Sequence, residues 1–116
     1  MDADTPYLGV KVARRITLEA LIEEATVDCY NEGEQRVGFL TMIEEHLALP
    51  FETEVLGVRV IVERVQIGDT GDIVALCRRG RQRQRIPILD LSLPSPSPRG
   101  AEWIDAYRHW LRGGTQ

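Results

Sequence analysis

From Leu18 the apolar residues recur at helical spacing. Leu18, Leu21, Ile22, Ala25 and Cys29 form one stripe, and Glu19, Glu23 and Glu24 lie outside it. Thr17 is placed to cap the helix, and Glu19 sits in the first turn, where the dipole favours an acid. Gly33 is expected to end this helix or join it to the next. The spacing predicts a second helix from about Glu34 to Ala48, burying Val37, Leu40, Ile43 or Met42, and Leu47. Pro50 stops it, because proline has no backbone donor and restricts the residue before it.

The period then changes to two. Phe51, Thr53 and Val55 share one face of a strand, and Glu52 and Glu54 the other. Val58, Val60 and Val62 alternate with Arg59, Ile61 and Glu63, and Gly57 marks a bend or bulge between these two runs. Gly68-Asp69-Thr70-Gly71-Asp72 reads as a turn, and Ile73 to Cys77 as a buried strand. After a turn at Gly80, Arg81, Arg83 and Arg85 alternate with Gln82 and Gln84, and Ile86 to Leu89 is expected to close the sheet. Ser92 to Arg99 is an extended, proline-rich connector. It leads to a last helix from about Ala101 to Leu111, with an apolar stripe of Trp103, Ala106, Tyr107 and Trp110.

The expected fold is therefore α+β: two N-terminal helices, a small antiparallel SH3-like β-barrel of four to five strands, and a C-terminal helix. Residues 1–15 show no clear period and read as a partly frayed extension. Residues 16–112 read as one domain and 113–116 as a tail.

Composition fits a soluble globular chain: 43% of its 116 residues are hydrophobic and 28% charged. Its longest uncharged apolar run falls far short of the roughly 20 residues of a membrane span. The acidic N-terminus lacks the basic and apolar regions of a signal peptide, so a cytoplasmic protein is expected. Cys29 and Cys77 make neither a disulfide framework nor a Zn²⁺ site, and both read as buried thiols. His46 and His109 read as ordinary, partly exposed side chains. The sequence contains no Walker A loop, GxGxxG, GxSxG or HExxH, and a non-enzymatic role is expected.

The net charge of −4 conceals an asymmetry. Residues 17–56 carry ten acids and one base, Arg36; residues 57–116 carry ten arginines and six acids. In the acidic half, Glu44, Glu45, Glu52 and Glu54 fall within eleven residues around the Pro50 corner. Ca²⁺ takes six to eight hard oxygen ligands, and the carbonyls of Leu47 and Ala48, freed at a helix end, can add to the carboxylates. Glu44 and Glu45 also oppose the helix dipole, at a cost of a few tenths to about 1 kcal/mol. A bound cation would offset that cost. The same acids can equally be a solvated surface. Asp69 and Asp72 flank Gly71 and can chelate a hard cation, but such residues also form ordinary turns. In the basic half, Arg78, Arg79, Arg81, Arg83 and Arg85 can meet nucleic-acid phosphates or an acidic protein. No aromatic residue lies among them to stack on bases, and an exposed strand face accounts for them as well.

The run from Gly38 to Phe51, with Met42-Ile43-Glu44-Glu45-His46-Leu47-Ala48-Leu49-Pro50-Phe51 at its centre, resembles the "hh-E-D-x-L-x-h-P-F" segment of the cyanobacterial calcium-binding protein CcbP family. Val58 to Glu63, Ile73 to Leu76 and Arg85 to Leu89 are similar to that family's later strands. Trp103 to Trp110 is similar to its terminal helix. The resemblance spans roughly residues 20–112. It implies Ca²⁺ binding through surface acids without an EF-hand, as a buffer or sensor in a bacterial cytoplasm. The ligand roles it implies fall first on Glu44 and Glu45. Here the second acid is glutamate rather than aspartate, and His46 follows it.

Overall fold

The computed structural model describes residues 17–113, so the expected extension at 1–15 and the tail residues 114–116 lie outside the described residues. Helix α1 includes residues 17–26, with Thr17 already helical. It ends earlier than the apolar stripe suggests. Asp28 takes a left-handed φ of 61°, which no helix continues through. Asn31 then restarts the chain as an N-cap: its side chain accepts from the Glu34 N–H at 2.8 Å. Helix α2 is Glu32–His46, and Gly33 lies inside its first turn rather than between the helices. Phe39 and Ile43 are its fully buried residues, whereas Val37, expected inside, is exposed.

Four strands follow: β1 Phe51–Val55, β2 Val58–Ile67, β3 Ile73–Arg79 and β4 Gln82–Pro87. They form one antiparallel sheet in the order β1-β2-β3-β4. The β1–β2 turn is the pair Leu56-Gly57, both at positive φ (51° and 78°), a backbone that matches the twist of the flanking strands. The register places Phe51, Thr53 and Val55 opposite Val62, Val60 and Val58 on the inner face. Glu52 and Glu54 consequently point to the outer face.

The expected barrel does not form: the sheet stays open, with β1 and β4 at opposite edges. Ile88 and Leu89, expected to close the sheet, instead join Asp90 in one turn of 3₁₀ helix that takes the chain away from β4. Ser92 then touches the far edge. Its N–H donates to the Glu54 carbonyl at 3.2 Å, and its own carbonyl accepts from the buried Thr53 hydroxyl. One bridge there replaces a closing strand, and helices rather than a second sheet cover the inner face.

Helix α3 (Glu102–Leu111) packs on α2, and α2 packs on β2. The predicted stripe of α3 supplies the core: Trp103, Ala106 and Tyr107 are buried alongside Ile104, Phe39, Ile43 and Val62. The Tyr107 hydroxyl accepts from the Ile73 N–H at 3.4 Å, tying α3 to β3. Burial pushes the phenol of Tyr107 and the thiol of Cys77 above their ordinary pKa values. Cys77 is buried as expected; Cys29 is only partly so.

Candidate functional site

The six acids singled out in the sequence occupy three separate places. Glu44 and Glu45 lie exposed in the last turn of α2, and neither has an ion-pair partner among the described residues. The chain folds tightly behind them. The Ala48 N–H donates to the Arg99 carbonyl at 2.8 Å, and the His46 ring stacks on Trp103 with centroids 5.2 Å apart. The Ile43 carbonyl is taken by the Leu47 N–H. The carbonyls of the last turn beyond it lack helical partners, as at any helix end.

Glu52 and Glu54 do not join them. They alternate with core-facing Phe51 and Thr53, so the sheet itself separates them from α2. They stand with Arg59 and Ser92 around a shallow hollow on the outer side of β1, and Glu54 pairs across the strands with Arg59. Asp69 and Asp72 lie in the β2–β3 turn, where the Gly68 N–H donates to the Asp72 carbonyl at 2.7 Å. The Asp72 carboxylate accepts from Arg36 at 2.8 Å, and Arg36 also reaches Glu32 at 3.3 Å. Arg36 is eight residues before Glu44, about 12 Å along the helix. The turn therefore faces the opposite end of α2 from the glutamate pair. Among the described residues, no three His, Cys, Asp or Glu side chains gather as a metal centre would require. One cage built from all six acids does not fit this fold.

The arginines also separate. Arg83 and Arg85 share the outer face of β4, opposite Arg78 and Leu76 of β3, while Arg81 lies in the turn and Arg79 on the inner side. Glu63 holds two of them, accepting from Arg78 at 2.8 Å and from Arg83 at 3.0 Å. Sequence reasoning missed this glutamate. Val62 pairs with Cys77 and Arg64 with Leu76, so Glu63 is the extra residue of a β-bulge. The signal was present in the chain. The valines of this strand run 58, 60, 62 and then 65, a change of parity that an extra residue accounts for.

The two guanidinium groups hold the Glu63 carboxyl below its usual pKa, chiefly through their hydrogen bonds. A lowered folded-state pKa stabilises the fold fully above the unfolded value and loses that contribution as pH falls through the lowered one. We expect Glu63→Gln to reduce the melting temperature at pH 7. The variant should also lose less than the parent protein between about pH 5 and pH 3. Parallel acid-melting curves for the two proteins would show that the pair contributes nothing.

Comparison with known proteins adds a single finding of kinship. The family model Calci_bind_CcbP, described as calcium binding, matches residues 19–111. No curated protein and no solved structure matches the chain.

Proposed function

The chain belongs to the CcbP family of calcium-binding proteins, and from that premise we propose that it binds Ca²⁺ at the C-terminal end of α2 through Glu44 and Glu45, as a buffer. The observation that carries this reading is the local electrostatics of that turn. Two exposed carboxylates with no cationic partner among the described residues sit at the negative end of a helix. The free carbonyls of the same turn are further oxygen donors, and water completes the six to eight ligands that Ca²⁺ takes.

Glu52 and Glu54 act as a second, weaker pair on the outer face, where the ion meets competition from Arg59. Asp69 and Asp72 contribute least, because the charge of Asp72 is already met by Arg36. Carboxylates dispersed over regular elements support several weak, largely hydrated sites rather than one cage. They support buffering over sensing for the same reason: of these carboxylates only that of Asp72 links two elements among the described residues, and its partner there is Arg36 rather than an ion.

Calorimetric titration of the chelator-stripped protein, with Mg²⁺ as the control, tests the reading. Ca²⁺ binding to the folded state raises the melting temperature by mass action. Glu44→Gln with Glu45→Gln should abolish most of that rise, and Glu52→Gln with Glu54→Gln should remove a smaller part. An undiminished rise in the Glu44/Glu45 double variant would overturn the assignment. A large Ca²⁺-dependent change in hydrodynamic radius would replace the buffer with a sensor.

A further inference from the structure

Among the described residues, one strand edge of the sheet is uncovered. In the order β1-β2-β3-β4, β1 is bridged by Ser92, whereas β4 pairs only with β3 among the described residues. The outward N–H and C=O groups of Gln82 to Ile86 are therefore free for another strand, up to Pro87, which has no N–H. Beside this edge part of the inner face is open as well among the described residues. A groove of about 750 Å³ runs along it, lined by Val58, Val60 and Ile86 together with Arg79, Arg83 and Arg85.

Charge identifies the occupant. Arg83 and Arg85 line the outer face of the edge, with Arg81 just before it. Glu63 engages Arg83 through its Nε alone, and Arg81 and Arg85 have no ion-pair partner among the described residues. Pairing β4 with β4 of a second copy would set arginine against arginine, since Arg83 and Arg85 lie on either side of Gln84. Like charges directly across a ladder are destabilising. A strand with acids at alternate positions and apolar residues between them meets both faces at once. Its acids stand opposite Arg83 and Arg85, and its apolar side chains extend the groove. The pattern exists in this chain as Phe51-Glu52-Thr53-Glu54-Val55, but Ser92 already occupies part of that edge.

We infer that β4 is a docking edge for an extended segment of a partner protein in which acidic and apolar residues alternate, added to the sheet as a fifth strand. This is independent of Ca²⁺, so the test is made on the full chain in excess chelator. The probe is a seven-residue peptide of alternating valine and glutamate, followed by the backbone amide shifts of the isotope-labelled protein. The expected result is saturable shifts confined to Gln82–Ile86 and the groove. N-methylation of alternate peptide nitrogens should weaken binding at least tenfold. Arg81→Glu with Arg85→Glu leaves the Glu63 pairs in place and should shift preference to a seven-residue peptide in which lysine replaces each glutamate. Three results would overturn the proposal: no saturable shifts, equal binding of the N-methylated peptide, or a single-stranded oligonucleotide binding the same arginines more tightly than the peptide. The last would make this face a nucleic-acid surface.

Discussion

Gly100→Ala is expected to destabilise the protein by roughly 3 kcal/mol or more, from overpacking together with a left-handed backbone. A Cβ at this position would lie 2.2 Å from the His46 carbonyl oxygen and 2.6 Å from the Leu47 Cα, and the residue has a φ of +90°. These are backbone atoms of His46 and Leu47, so no flexible side chain is there to yield. The melting temperature should fall by on the order of 15 °C for a domain of this size. Two controls separate the causes. Gly57→Ala carries a similar φ of +78° with no atom nearby, and should cost only the conformational part, about 1–2 kcal/mol. Gly38→Ala lies within α2, and its Cβ would fall 2.0 Å from the Ala25 carbonyl oxygen, so it isolates the steric part. Thermal melts of the three variants check the ranking; a Gly100→Ala melt no lower than that of Gly57→Ala would contradict it.

Phe39→Ala should cost about 3–5 kcal/mol, the usual range for removing a buried aromatic ring. Phe39 is fully buried on α2, with its ring centroid 5.6 Å from Tyr107 and 5.2 Å from Trp110. It therefore joins α2 to α3, as the stacking of His46 on Trp103 does at the C-terminal end of α2. Domains commonly have only 5–15 kcal/mol of net stability, so the variant should be marginal at 37 °C. Phe39→Leu refills part of the cavity and should recover about half of the loss. Urea unfolding followed by tryptophan fluorescence measures both, since Trp110 lies against the altered site. A midpoint within experimental error of the parent would show that the aromatic cluster is dispensable.

The elements that a period alone specifies were legible in the sequence. Trp103, Ala106, Tyr107 and Trp110 announce α3, and the alternation from Phe51 to Val62 announces two strands with the correct inner face. Departures arose where a competing local interaction decides. The apolar stripe of α1 runs on to Cys29, but Asp28 at positive φ and the Asn31 cap divide the helices before Gly33 does. Val37 fits a helical stripe as well as Phe39 does, and only the position of α3 settles which face is buried. Barrel closure was unreadable because it depends on where Ser92 lands, thirty-eight residues after Glu54.

The candidate site follows the same division. Alternation placed Glu52 and Glu54 on one face, but could not say that the sheet would stand between them and Glu44 and Glu45. Membership of the family, announced by the segment from Met42 to Phe51, was legible and is established for residues 19–111. Asp72 looked free because its partner, Arg36, is the single base in an acidic half and thirty-six residues distant. Arg81, Arg83 and Arg85 alternate in the sequence, but the β3–β4 turn takes in Arg81 and leaves only Arg83 and Arg85 on the strand.

The meander has a consequence for how the cost of ordering this chain is distributed. Because strand order is sequence order, the three hairpins close over loops of two, five and two residues. Short loops sacrifice little chain freedom, and each doubling of length adds only about 0.6 kcal/mol. The long closures converge on one seam. There Gly100 meets His46, Ala48 bonds Arg99, and Ser92 seals β1. The entropic toll of long-range contact is concentrated in that seam rather than spread over the sheet. Insertions at the hairpin tips should consequently leave the architecture intact, while an insertion beside His46 or Gly100 would part the seam itself.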